Sequence, residues 1–473
     1  GSGMVDSLDA VRFVHGEGGV FQVYNTESSK NLNSILKLPL KNLNYTAFGM
    51  SSPSLSLDKI NQTSWFGGRL NPGDTSKTTF IIENPTNKTL TIKIIPQKLE
   101  LIEKFTYEGF TEPRLQDSYL NKTGTYVPNY VPLGNLTTVE TKTSNFVKNI
   151  PEDSSLMVLN ANFPFDHFMN KTNPIYADDL KISSLYIYDW KDKDENSEIS
   201  SDELSLVNRG GSWGTNQELR ITDPTTQFEN QPVVGIYPVP ERYSYWGGPI
   251  NQNSTSMDYT LSASYFKKNN WNDVTVETQI ITIPPKQIAE VNSEILSHDD
   301  QKTGIYDGFL RFEGEHHTAN IPVSYVIVEK MQKNIPFTFV GSEMDVNFGN
   351  GYVKGAFDMS NRYMSGDWRQ FYLDVDDNTI NSASFELSWK NDNSNFSAFV
   401  LDPQGKIIGT NMPTGVFGHF MNWASLDWLG NSPFSQGGGF FPVKNKDNTS
   451  TLIFAPINQT GTHSLLIHST LFE

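Results

Sequence analysis

Hydrophobic residues recur at two different spacings along this chain of 473 residues. At the start, Val5, Leu8, Val11 and Val14 follow the three-to-four-residue spacing of an amphipathic helix. A helix of so few turns is marginal in water unless it packs against another element. We therefore predict a short N-terminal helix over residues 1–16 that packs against a further part of the protein.

Beyond this helix, the pattern changes to the two-residue alternation of β-strands. Residues 78–83 and 89–95 are rich in β-branched residues, and the turn residues 84–87 separate them, so we predict a β-hairpin here. Residues 304–330 alternate in the same way. The stretch PKQIAEVNSEIL, residues 285–296, is one of the few others whose spacing fits a short helix.

Short strands separated by frequent Gly, Pro and Asn residues are typical of β-sandwiches. We predict an all-β fold of two or three serial β-sandwich domains, of fibronectin- or immunoglobulin-like and jelly-roll type, with the short N-terminal helix. The expected units are the helix 1–16, a fibronectin-like sandwich 17–149, a sandwich with a loop insertion 150–330 and a jelly-roll-like domain 331–473.

Composition narrows the classes of function. The net charge is −17 and no basic stripe occurs, which argues against a nucleic-acid partner. The absence of cysteine excludes disulfides, zinc–thiolate sites and a cysteine nucleophile. No run of about 18 apolar residues occurs, so we expect no transmembrane segment.

The acidic segment DKDENSEISSDE has the spacing of an EF-hand calcium loop. Ca²⁺ prefers six to eight hard oxygen ligands, which alternate residues of a tight loop can direct inward. Ser197 occupies the sixth position, where glycine normally permits the sharp turn. The alternative is a solvated acidic loop. The predicted calcium ligands are Asp192, Asp194, Asn196, Glu198, Ser200 and Glu203.

Ten N-x-S/T sequons mark candidate N-glycosylation sites, as expected for exposed loops of a secreted protein. A chain rich in Asn, Ser and Thr also yields several such sequons by chance. The candidate acceptors are Asn44, Asn61, Asn87, Asn121, Asn135, Asn170, Asn253, Asn395, Asn448 and Asn458.

An aromatic, glycine-rich loop over residues 417–442 contains Trp423 and Trp428. Tryptophan beside glycine can form a platform for sugars or an anchor for a protein partner. The alternative is that these rings plug the open end of a sandwich.

Two common motifs of independent catalysis do not occur. The sequence contains no H-E-x-x-H and no phosphate-binding glycine loop. His316 and His317 are predicted on a strand, where their side chains would face opposite sides. A glycosidase carboxylate pair leaves no such motif, so that reaction stays open.

The opening GSGMVDSLDAV resembles the last conserved helix of subtilisin-like serine peptidase domains. The matching residues are Gly1, Gly3, Val5, Asp6, Ala10 and Val11. The β-rich remainder is similar to modules that follow the catalytic domain in secreted subtilases of the pyrolysin and tripeptidyl-peptidase type, and the acidic insertion fits the archaeal branch best. The family's catalytic Asp, His and Ser motifs are absent from this sequence, so no catalytic residue is carried over.

The resemblance implies an extracellular or cell-surface accessory region of a subtilase, stabilised by Ca²⁺, whose partner is the catalytic domain of the same precursor. One alternative is an independent structural protein of a filament or surface layer, in which neighbouring copies are the partners. A second alternative is a carbohydrate-binding module.

Overall fold

The computed structural model confirms the predicted all-β fold over the residues that it describes. These are residues 19–25, 46–47, 50–51, 63–110, 129–132, 150–162, 182–196, 199–210, 216–239, 258–338, 368–389, 396–411 and 449–469. The strands in chain order are β1 (Gln22–Asn25), β2 (Thr46–Ala47), β3 (Met50–Ser51), β4 (Trp65–Leu70), β5 (Thr75–Glu83), β6 (Leu90–Phe110), β7 (Asn129–Pro132), β8 (Leu156–Asn162), β9 (Ile182–Trp190), β10 (Leu204–Arg209), β11 (Asn216–Thr222), β12 (Gln231–Val239), β13 (Asp258–Asn270), β14 (Val274–Val276), β15 (Ile280–Ile283), β16 (Ile288–Leu296), β17 (Gly304–Glu313), β18 (Thr318–Ile327), β19 (Glu329–Lys330), β20 (Trp368–Val375), β21 (Ser382–Ser388), β22 (Phe396–Leu401), β23 (Ile407–Thr410), β24 (Ser450–Pro456) and β25 (Gly461–Ser469).

Helical structure in the described residues is limited to a 3₁₀ turn at Ser201–Glu203 and a short α-helix at Pro224–Gln227. Within these residues, no helix has the length and apolar character needed to cross a membrane. The helix predicted over residues 1–16 lies outside the described residues.

The first hydrophobic core lies between two sheets. One is the four-stranded sheet β1-β5-β16-β14, which contributes Phe80 and Val291. The other is formed by β6, β17, β18 and β4, which contribute Ile92, Phe312 and Trp65. Alternate residues of β5 are buried, because a strand directs successive side chains to opposite faces.

A second core lies between the sheet β10-β9-β12-β7 and the strands β11, β8, β13 and β6. Leu185 and Val234 come from the former, and Leu159 and Leu261 from the latter. These residues are fully buried.

The two cores share one continuous sheet, in the order β11-β8-β13-β6-β17-β18-β4. Strand β6 makes this possible, because its 21 residues span both cores. Residues 93–97 of β6 pair with β17, and residues 97–110 pair with β13. A single long ribbon of β6 and β13 therefore leads from the first core into the second.

The second sandwich is inserted into the first. The first core takes residues from 21–94 and again from 271–327, whereas the second takes residues from 105–265. The predicted boundary between residues 149 and 150 therefore does not coincide with a division between cores. Parts distant in sequence form one sandwich because β16 pairs with β5 over its whole length.

A third core packs the sheet β19-β20-β25-β22-β23 against the two-stranded sheet β21-β24. Leu373, Val400 and Ile453 are buried in it, and Met331 and Phe337 pack against its edge.

The predicted hairpin of residues 78–95 is wrong, although its two strands exist. Strand β5 belongs to the sheet β1-β5-β16-β14, and β6 belongs to the large sheet, so the connection crosses from one layer of the sandwich to the other. The β15–β16 connection makes the same crossing, because β15 pairs with β6 and β16 pairs with β5. The two crossings lie against each other through hydrogen bonds from Asn84 N to Gln287 O (2.9 Å) and from Lys286 N to Thr86 O (3.2 Å).

Asn84 closes this double crossing, which we call the Asn84 corner (residues 84–89 and 284–287). The Asn84 side chain is fully buried. Its Nδ2 donates to the carbonyl oxygens of Lys88 (2.8 Å), Ile283 (3.0 Å) and Pro284 (2.9 Å). Its Oδ1 accepts from Thr86 N (2.9 Å) and Thr86 Oγ1 (2.6 Å).

The helix suggested for residues 285–296 is also wrong, because residues 288–296 form strand β16. Val291, Ser293 and Ile295 are buried, and the residues between them are more exposed. This two-residue alternation is that of a strand with one face against the core.

Candidate metal centre

The predicted calcium loop joins two paired strands. Strands β9 and β10 are antiparallel, and Trp190 faces Leu204 where the ladder ends. Residues 191–203 form the connecting loop, which we call the acidic loop, and it ends in the 3₁₀ turn Ser201–Glu203. The loop is thus flanked by strands instead of the two helices of an EF-hand.

Glu203 anchors the acidic loop to the strands. Glu203 is only 4% exposed. Its carboxylate accepts hydrogen bonds from Trp190 Nε1 (3.1 Å, at Oε2) and from Lys193 N (2.7 Å, at Oε1). The hydrogen bond from Trp190, followed by that from the Lys193 backbone, lowers the pKa of Glu203 from 4.5 to about 2. The carboxylate is therefore charged over the whole physiological pH range.

Asp192 and Asp194 lie at the start of the loop and turn towards Glu203. One carboxylate oxygen from each of these three residues lies within 4.8 Å of those of the other two. Glu195, which directly follows Asp194, adopts the left-handed backbone region, with a φ of 59°. That region disfavours residues other than glycine, so the backbone here is strained.

Three carboxylates at this separation repel one another, and they offer the hard oxygen ligands that Ca²⁺ prefers. Within the part of the chain that the structure describes, no second group of three metal-ligating side chains converges in this way. The arrangement can hold a divalent cation between the end of β9 and the start of β10.

The remaining predicted ligands are placed differently. Asn196 donates from its backbone N to Asp192 Oδ1 (3.2 Å) and from Nδ2 to Asp194 Oδ2 (2.8 Å), so it orients the two carboxylates. Ser200 Oγ donates to Asp202 Oδ1 (2.8 Å). Glu198 lies outside the described residues.

Trp190 and the backbone of Lys193 are the contacts that the motif does not reveal. Trp190 could have been noticed as the aromatic residue that precedes the loop at the end of a strand. The Lys193 contact uses only a backbone N–H, which every residue except proline carries, so no side-chain pattern signals it.

Two of the ten predicted glycosylation acceptors, Asn87 and Asn458, lie among the described residues, and both are exposed between strands. The other eight, together with Trp423 and Trp428, lie outside the described residues.

The strand position predicted for His316 and His317 is wrong, because they lie in the turn between β17 and β18. There, His317 packs edge-on against Phe21 with ring centroids 4.9 Å apart.

No protein-family model matches this chain. No curated protein matches it either. Among solved structures, it is similar to a family 123 glycoside hydrolase from Clostridium perfringens, with 9% identity and a TM-score of 0.19, over 65% of this chain and 27% of that chain. The match thus spans about a quarter of that enzyme, and at this TM-score it supports no argument about the fold or function of this chain.

Proposed function

We propose that this chain is a non-catalytic, calcium-stabilised β-sandwich region of a secreted protein. The observation that carries the proposal is the convergence of the Asp192, Asp194 and Glu203 carboxylates within 4.8 Å. A bound Ca²⁺ would remove the repulsion among them and tie the two ends of the acidic loop together. A cation that binds only the folded state stabilises it by about 2.7 kcal/mol at a concentration one hundred times its dissociation constant.

The biological setting that we propose is the extracellular or cell-surface accessory region of a subtilisin-like serine peptidase. The support is the resemblance of residues 1–11 to the closing helix of that family, together with the all-β character of the residues that the structure describes. The partner would be the catalytic domain of the same precursor. Exposed Asn87 and Asn458 would be open to glycan attachment in a secreted protein.

Thermal unfolding with and without Ca²⁺ tests the metal proposal. We expect Ca²⁺ to raise the melting temperature by several degrees, since about 1 kcal/mol corresponds to roughly 2–4 °C for a domain of this size. Asp194→Asn should remove most of the increase. Asp202→Asn is the matched control, because Asp202 lies in the same loop outside the carboxylate group. An equal melting temperature in Ca²⁺ and in chelator would refute the metal proposal.

Sequencing of the coding DNA upstream of Gly1 tests the peptidase setting independently. We expect an in-frame G-T-S-M-A motif, preceded by the family's Asp and His motifs. A signal peptide joined directly to Gly1 would contradict the peptidase setting and leave the calcium proposal intact.

A second candidate function is a structural subunit of a filament or surface layer. The observation that favours it is an apolar outer face on β24, where Leu452 is 53% exposed and Phe454 is 71% exposed. Contact of this face with a neighbouring copy would bury both side chains. Electron microscopy of the purified chain should then show fibres or sheets, and Phe454→Ser should disperse them. Dispersed wild-type monomers would favour the accessory role.

A carbohydrate-binding role at Trp423 and Trp428 stays a prediction from the sequence. Loss of glycan affinity in Trp423→Ala or Trp428→Ala would support it.

A further inference from the structure

A polar groove lies on the outer face of the sheet β1-β5-β16-β14, away from the acidic loop in sequence. Its volume is about 480 Å³, which is within the range of about 300–1,000 Å³ typical of small-molecule sites. The groove is lined by residues of β5, β14 and β16 and by Glu277, which follows β14.

Strand alternation shows which face carries the groove. Phe80, Val291 and Val274 belong to the first core, so the residues that alternate with them point away from it. Thr79 and Asn292 are such residues, and both line the groove. The groove therefore opens on the face turned away from the core.

Hydrogen bonds hold the side chains of the groove in place. Thr79 Oγ1 donates to Asn292 Oδ1 (2.9 Å), and Asn292 Nδ2 donates to Glu277 Oε2 (2.7 Å). Lys77 Nζ lies 3.5 Å from Glu294 Oε1 in the next row of the sheet. The groove thus presents an ordered array of donors and acceptors before any ligand enters.

The chemistry of this array selects a class of ligand. Val276 is the single apolar residue among those that line the groove, so an apolar ligand would find little surface to bury. Lys77 contributes one positive charge, and Glu277 and Glu294 contribute two negative charges. The groove therefore has a net charge of −1, which disfavours anions. The amide, hydroxyl, ammonium and carboxylate groups instead match a neutral ligand that is rich in hydroxyl groups, each of which both donates and accepts.

We propose that this groove binds a neutral oligosaccharide. Asn292 and Thr79 would contact the hydroxyl groups of one sugar ring. Tyr24 stands on the same face in the adjacent row, opposite Ile81 on β5, about 7 Å further along the strands. Its half-buried ring offers a surface for a second sugar ring. This groove shares no lining residue with the acidic loop or with the 417–442 stretch of the sequence, so the proposal does not depend on the function proposed above.

Titration of the full chain with defined trisaccharides, monitored by saturation-transfer NMR, tests the proposal. We expect cellotriose or mannotriose to bind with a dissociation constant of about 1 mM, which is typical of a few exposed hydrogen bonds and one ring contact. The anionic trisaccharide of galacturonic acid should bind at least about tenfold more weakly, because the groove carries net negative charge.

Two variants and one control complete the test, each checked for an unchanged circular dichroism spectrum. Asn292→Ala and Tyr24→Ala should each weaken binding at least about fivefold. Asn272→Ala should leave it unchanged, because exposed Asn272 belongs to the same sandwich and does not line the groove. Absence of binding by both neutral trisaccharides, or equal binding by Asn292→Ala and the wild type, would overturn the proposal.

Discussion

Asn84 and Glu203 each close a connection between strands with one buried polar side chain, but they differ in charge. Asn84 is neutral, and its five hydrogen bonds use both the amide nitrogen and the amide oxygen. Glu203 is an anion with hydrogen bonds from Trp190 and Lys193, and it lies beside two further carboxylates. The nitrogen and the oxygen of the Asn84 side chain both have hydrogen-bond partners within the protein, whereas the acidic loop carries excess negative charge.

This difference explains why only one of the two connections suggests a ligand. An amide both donates and accepts, so one asparagine can satisfy several backbone groups of different kinds. A carboxylate only accepts, so the loop that it anchors must bring in donors or a cation. The predictions below separate the two cases, from the largest expected effect to the smallest.

Asn84→Ala should destabilise the first sandwich by about 3 kcal/mol, because several buried carbonyl and N–H groups lose their partner. The corresponding melting transition should fall by roughly 10 °C. Ca²⁺ should not change this loss. Asn87→Ala, in the same corner but exposed, is the matched control and should change stability by less than about 0.5 kcal/mol. A small effect of Asn84→Ala would show that the corner does not depend on its side chain.

Glu203→Gln should lower stability by less than Asn84→Ala and should also reduce Ca²⁺ affinity at least about tenfold. The amide of Gln presents a donor where Trp190 Nε1 or Lys193 N already donates. Thermal unfolding and calcium titration of the same variant measure the two effects.

The pH dependence of Glu203→Gln gives a second check. The folded pKa of Glu203 is lowered to about 2, so its stabilisation is present above its ordinary pKa of 4.5 and is lost as the pH falls towards 2. In chelator, the stability difference between wild type and Glu203→Gln should therefore be constant above about pH 5 and should shrink below it. A difference that does not change with pH would contradict the assigned hydrogen bonds.

The smallest effect should come from backbone strain, which both connections contain. Lys286 in the Asn84 corner and Glu195 in the acidic loop each have a φ of 59°. Glu195→Gly should stabilise the calcium-free protein by up to about 1 kcal/mol, since it relieves the strain and removes one negative charge. Lys286→Gly should be nearly neutral, because it also removes the hydrogen bond from Lys286 Nζ to Pro85 O. Equal changes in the free energy of unfolding for the two variants would show that the charge of Glu195 does not destabilise the calcium-free protein.

Local patterns predicted much of the fold and the position of the carboxylate cluster. The alternation in residues 78–83 and 304–330 predicted strands that the structure contains, and the spacing of Asp192, Asp194 and Glu203 predicted three carboxylates that do converge. Turn residues at 84–87 predicted a change of direction, but they do not encode whether the next strand stays in the same sheet.

Long-range pairing explains the remaining errors. The spacing of Ile288, Val291 and Ile295 fits a helix, but pairing with β5, more than two hundred residues earlier, makes this stretch a strand. The insertion of the second sandwich rests on the same kind of pairing. A single sequence carries no local signal for either, because the partner strand is far away along the chain.

The insertion also sets an order of events during synthesis. Ile94 and Trp271 belong to the same core, and residues 95–270 lie between them. At about 5–20 residues per second, the ribosome needs roughly 9–35 s to make that stretch. Throughout this interval Phe80, Ile82 and Ile92 have been made, but their partners in β16 and β17 have not. The inserted sandwich, whose strands are contiguous in the chain, can therefore fold before the sandwich that surrounds it, while the apolar residues of β5 and of the first part of β6 stay without their partners in β16 and β17.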